Sequence, residues 1–189
     1  MTTKTDNPLQ ELVDKINNAE PEDIPDDHAT LELMLDRAFE LAESALMGSD
    51  SDGDDSELVP TWTLLSQNGR ITVMMTPFFG AEQKEMIAEG MRMIMKDAHI
   101  IRYTFVSEAW TVKQTKLPSA NDLPPSQRSD RKEVLLINGG DHHGTRTRIY
   151  DIIRDEDGEV IDLKQDQKLA DDGAHSEGRF CDMLEVAKH

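Results

Sequence analysis

Residues 60–76 read PTWTLLSQNGRITVMMT. Two β-rich runs flank Asn68-Gly69, the dipeptide most compatible with the positive φ angles of a type I′ turn. The stretch predicts a β-hairpin in which residues 60–66 pair with residues 70–76. That fixes one antiparallel strand pair, and the rest of the chain can be placed around it.

Downstream, residues 81–98 have Met86, Ile87, Met91, Ile94, Met95 and Ala98 on one helical face and Glu85, Glu89, Arg92 and Lys96 on the other. A long strand is predicted over 100–114, where Ile101, Tyr103 and Phe105 alternate with Arg102, Thr104 and Glu108. Residues 116–129, KLPSANDLPPSQRS, contain three prolines and no periodicity, so a Pro-rich loop spans 115–131. A short strand at 133–137, a glycine-rich turn at 138–144 and a strand at 145–154 follow. Asp155-Glu156-Asp157-Gly158 then closes a second hairpin onto 159–163.

Upstream, apolar residues recur at helical spacing from Ala29 to Met47, with Asp26 and Asp27 as N-cap candidates and Gly48 as the stop. The order helix, hairpin, helix, strand, meander implies an α+β fold. Its sheet is largely antiparallel, two hairpins plus a long central strand, with two main helices packed on one face. The expected organisation is a flexible acidic tail over 1–28, a single domain over 29–165 with an acidic linker at 48–57, and a polar segment over 166–189 with a short helix near 179–187. Leu9, Leu12, Val13 and Ile16 give the tail only a turn or two of amphipathic character.

The charge is regional. Residues 1–59 carry 17 Asp and Glu against 3 Lys and Arg, whereas residues 60–189 carry 21 against 17. The total of −18 opposes direct nucleic-acid binding, which depends on Lys and Arg neutralising phosphates. The single cysteine, Cys181, has no partner for an intramolecular disulfide, and neither a signal-peptide pattern nor an apolar run of spanning length is present. A cytoplasmic protein that does not enter membranes is the expectation.

Chemistry-bearing motifs are few. Asp141-His142-His143, between glycines, offers oxygen and imidazole donors to a divalent metal. The triplet resembles the Asp-His-His element of the phosphoesterase family named for it. That family uses further aspartates in an α/β domain, and no such motif follows a strand here. The plainer reading makes Asp141 and the glycines a turn with both imidazoles exposed. Residues 50–57, DSDGDDSE, fail the register of a calcium loop, because, counted from Asp50, Asp55 and Thr61 stand where glycine and glutamate are required. Phosphate-binding glycine loops are absent. From Arg102 to Arg148 eight basic residues face five acidic ones. Arg146 and Arg148 alternate with threonines and share one strand face, as a dock for the acidic arm or, with Trp110, as an anion-tracking surface.

Ser107-Glu108-Ala109-Trp110, with Pro125, Asp130-Arg131 and Glu133-Val134, resembles a set of uncharacterised bacterial and phage proteins. These share a Ser-Glu-Ala-Trp strand, a proline-containing loop and an Asp-Arg-x-Glu strand start. The resemblance spans about residues 60–165 and implies no activity. In physical terms it suggests a clasp in which Trp110 buries against the loop while Glu108 meets Arg131.

The leading functional expectation is a non-enzymatic interaction protein that engages a basic partner surface, with no cofactor. One alternative is a metal-dependent hydrolase working through Asp141, His142 and His143. Another is a homo-oligomeric structural protein whose acidic arms dock on neighbouring copies.

Overall fold

The computed structural model describes residues 8–48, 58–77, 81–112, 123, 127–165 and 183–184. The hairpin forms as its sequence predicts: β1 (Thr61–Ser66) pairs antiparallel with β2 (Ile71–Met75), Leu65 standing opposite Ile71. Gly69 in its turn has φ +84°. β3 (Ile100–Val112) lies along the other side of β1, and β4 (Arg131–Asp141), β5 (Gly144–Arg154) and β6 (Val160–Gln165) follow in sequence. The order is β2-β1-β3-β4-β5-β6 with every pair antiparallel, so the α+β class and the antiparallel sheet are as expected.

Among the described residues three α-helices accompany the sheet: α1 (Pro8–Asn17), α2 (Leu31–Met47) and α3 (Ala81–Asp97). Alternation along β3 divides the core in two, because neighbouring strand residues point to opposite faces. On the Val106 face, Leu31, Leu35, Ala38, Ala42 and Leu46 of α2 pack with Leu135, Ile137, Tyr150 and Ile152. On the Phe105 face, α3 packs Ala88, Met91, Ile94 and Met95 against Trp62, Leu64 and Tyr103, and α1 adds Val13 and Ile16. α2 thus lies on one face of the sheet, and α3 with α1 on the other. Trp62 is fully buried, its ring centroid 4.3 Å from that of Phe105 and its Nε1–H donating to Thr76 Oγ1 at 2.9 Å.

Four local features differ from the sequence reading. Residues 8–28 are not a tail: α1 buries Val13 and Ile16 to 5 % and 1 % exposure, so the short apolar set suffices once α3 is there to receive it. The cap of α2 is Thr30, whose Oγ1 accepts from Leu33 N–H at 3.2 Å, while Asp26 and Asp27 sit in a preceding 3₁₀ turn. Met86 is 73 % exposed, because it falls on the flank of the stripe centred on Met91 and Ile94.

Finally, Asn138, Gly139 and Gly140 continue β4 instead of turning. A Cβ on Gly139 would meet Leu31 Cδ1 and Leu35 Cδ2 at 2.9 Å, and one on Gly140 would meet the Tyr103 ring at 2.6 Å. These glycines serve close approach on the two faces of the sheet. The acidic linker at 49–57, most of the Pro-rich loop and the expected C-terminal helix lie outside the described residues. Among those that are described, no helix is long and apolar enough to cross a membrane.

Candidate functional site

The five residues singled out for interaction, Glu108, Trp110, Arg131, Arg146 and Arg148, all project from the face of the sheet that α2 covers, given the β3–β4–β5 register. They form two groups. Arg148 donates to Asp36 Oδ1 at 2.6 Å and to Glu32 Oε2 at 2.8 Å, and Arg146 Nε lies 3.7 Å from Glu32 Oε1. The acidic face of α2 therefore docks on these arginines within the same chain. The pairing raises the Arg148 guanidinium pKa against the opposing effect of its partial burial. The sequence placed Arg146 and Arg148 on one strand face and left a dock for the acidic arm as one of its readings; it did not point to the partners, which lie more than a hundred residues away along the chain.

The second group stands at the far end of the same face. Arg154 forks onto Glu133, with Nε to Oε2 at 2.8 Å and Nη2 to Oε1 at 3.0 Å, and also donates to Gly158 O. Glu108 does not meet Arg131: one of its oxygens accepts from Leu58 N–H at 2.8 Å and the other lies 3.9 Å from Arg154 Nη2. Arg131 instead places its guanidinium 4.3 Å from the Trp110 ring centroid, and that indole is 43 % exposed. The expected clasp thus joins different pairs. Glu133 and Arg154 were the partners to find, and β-alternation from Trp110 and Arg148 was the only available pointer.

This cluster has a pH signature. Burial, then the nearby Glu133 charge, push the Glu108 carboxyl above its usual range against the Leu58 hydrogen bond. The Arg154 fork holds Glu133 below its usual range despite partial burial. A depressed carboxylate stabilises the fold above its unfolded pKa and loses that contribution as pH falls through its folded value. A raised one penalises the fold once pH rises through it. Glu133→Gln is therefore expected to lower unfolding free energy by about 1 kcal/mol at about pH 7 and to converge with the parent in acid. Glu108→Gln, which keeps an oxygen for Leu58, is expected to be at least as stable as the parent near neutrality. Urea unfolding at about pH 7 and about pH 3 checks both.

The Asp-His-His segment is a two-residue turn, with Asp141 paired to Gly144. Asp141 is buried, accepts from His143 N–H at 2.8 Å and lies 3.8 Å from Arg102 Nε. Its carboxylate is occupied in shaping the turn. The two imidazoles are exposed and lie against each other, ring centroids 3.8 Å apart and planes tilted by 42°. Among the described residues, no group of three or more His, Cys, Asp or Glu side chains is arranged to hold a metal ion.

Sequence reasoning missed how the acidic segment after α1 is held. Glu22 N–H donates to Asn68 O at 2.8 Å, and Asn68 Nδ2 donates to Ile16 O at 3.0 Å and Ala19 O at 3.4 Å. Further on, Arg102 Nη1 donates to His28 O at 2.6 Å. Residues 16–28 thus run as a strap over the hairpin turn, from α1 on one face towards α2 on the other. The strap exposes Glu20, Glu22, Asp23 and Asp26, which make no side-chain ion pair among the described residues, with Pro21, Ile24 and Pro25 between them. Asp27 differs. Its hydrogen bond to His28 Nδ1, at 2.7 Å, holds its carboxyl below the usual range.

Comparison with known proteins finds no matching protein family, no matching curated protein and no matching solved structure.

Proposed function

We propose that this chain is a non-enzymatic interaction protein that presents a fixed acidic ridge, Glu20 to Asp26, to a Lys- and Arg-rich surface of a partner protein. The observation that supports it is the anchoring of the ridge. Its backbone is hydrogen-bonded to Asn68 and packed on Gly69, while its four carboxylates stay in solvent. Fixing the backbone in advance removes ordering entropy from association, which a free acidic tail would have to lose on binding. Arg146 and Arg148 of β5 are engaged by α2, and Arg154 by Glu133 of β4, so these arginines do not neutralise the ridge. Carboxylates on an exposed surface act mainly on encounter rate and register, with strong salt screening.

The test is a titration of the full chain with an oligolysine peptide. Affinity is expected to fall by about tenfold or more between about 0.05 M and about 0.3 M salt, because the Debye length shortens over this range. Affinity that is unchanged by salt would contradict the reading.

A further inference from the structure

A cavity of about 590 Å³ opens where α3 ends, β3 begins and the β4–β5 turn comes alongside. Arg92 and Lys96 line it from successive turns of α3, His99 from just beyond the helix, and His142 from the turn. Met93 and Ile100 contribute apolar wall, and Met93, 56 % exposed, is on the side of α3 away from the buried core stripe. No carboxylate lines the cavity among the described residues, although the chain carries 38 Asp and Glu against 20 Lys and Arg.

The backbone at this point is also unusual. His99 has φ +50°, the one positive φ among the described non-glycine residues. That conformation is uncommon for a side-chain-bearing residue. It is held by His99 N–H donating to Lys96 O and by His99 O accepting from Gln67 N–H at 3.0 Å. The conformation carries the chain from α3 into β3 and leaves the imidazole at the cavity. On the opposite side, the tilted ring contact with His143 limits the directions open to the His142 ring.

We propose that this cavity binds a small organic anion with an apolar tail, a carboxylate or phosphate amphiphile. The head lies among Lys96, His99 and His142, and the tail lies on Met93 and Ile100. Charged groups at the mouth of a low-dielectric cleft focus their field on a ligand of opposite sign. Mostly apolar walls with a few converging polar groups are the usual composition of a small-molecule site, and the volume is within the usual range. The site is separate from the acidic ridge and does not depend on what the ridge binds.

The test titrates the full chain with octanoate, octyl phosphate and, as the uncharged control, octanol, following backbone amide shifts by NMR. Both anions are expected to give saturable shifts at Lys96, His99 and His142, and octanol to bind about tenfold more weakly or worse. Lys96→Gln is expected to weaken anion binding by about fivefold. The Lys96 side chain is exposed, so the amide spectrum should remain that of the folded parent. His142→Gln, on an exposed turn, is the independent second variant and is expected to weaken binding by about threefold. Octanol binding as tightly as octanoate, anion binding indifferent to these substitutions, or no saturable shift with either anion would each overturn the proposal.

Discussion

Replacing Gly69 with alanine is expected to lower the unfolding free energy by about 3 kcal/mol. Two effects combine. The residue has φ +84°, where a Cβ is disfavoured, and the added Cβ would lie 1.8 Å from Glu22 O. No rotation of a side chain relieves that contact, because the obstacle is backbone. Either the type of turn must change or the strap must lift from Asn68. Gly158→Ala is the matched control, since Gly158 has φ +92° and no atom stands within 4 Å of the place an alanine Cβ would take. That variant should show the conformational cost alone, about 1 kcal/mol. Urea unfolding of the two variants separates the terms. Hydrogen exchange over residues 16–24 should accelerate in Gly69→Ala and stay unchanged in Gly158→Ala. Equal losses of stability would mean that the strap does not press on the hairpin.

Trp62→Ala is expected to destabilise the fold by about 3–5 kcal/mol, the range for large aromatic residues removed from a packed core. Trp62 joins several parts at once. It is packed between Phe105 and Tyr103 of β3, at ring separations of 4.3 and 6.1 Å, and belongs to the core that receives both α1 and α3. Its indole N–H is satisfied by Thr76 just beyond β2. Trp62→Phe keeps much of the apolar area but strands Thr76 and leaves a smaller void, so a loss of about 1–2 kcal/mol is expected. Guanidinium unfolding followed by circular dichroism measures both variants. A loss near zero for the alanine variant would contradict the packing of the Phe105 face.

Those two residues were legible in the sequence to different degrees. Asn68-Gly69 announced its turn, and the alternation of Tyr103 and Phe105 announced β3, because both signals are local. The stripes of α2 and α3 were equally plain, although helical spacing says which side of a helix is apolar and not which face of a sheet receives it. Gly139-Gly140 misled because glycine serves a turn and a close approach equally well. Only Leu31, Leu35 and Tyr103, all distant in sequence, decide between them. The strap was hidden for the same reason. Four apolar residues look too few for a packed helix until α3 covers them, and the Asn68 hydrogen bond to Ile16 crosses 52 positions. In the charged clusters, strand alternation put Arg146 and Arg148 on one face but carried no information about Glu32 and Asp36 on α2. Glu108 likewise had several arginines within reach of the sheet, and the register settled on Arg154.

If a held ridge, and not acidity in general, makes the binding surface, a matched pair of full-length variants will separate the two. In one, Glu20→Gln, Glu22→Gln, Asp23→Asn and Asp26→Asn remove four charges from the ridge. In the other, Glu89→Gln, Glu156→Gln, Asp157→Asn and Asp162→Asn remove four from exposed positions elsewhere. Both variants carry the same net charge, so a purely global electrostatic attraction would treat them alike. Titrated with the same oligolysine peptide at one fixed salt concentration, the ridge variant is expected to lose about tenfold in affinity and the control less than about threefold. Equal losses in the two variants would contradict the ridge as the interaction surface.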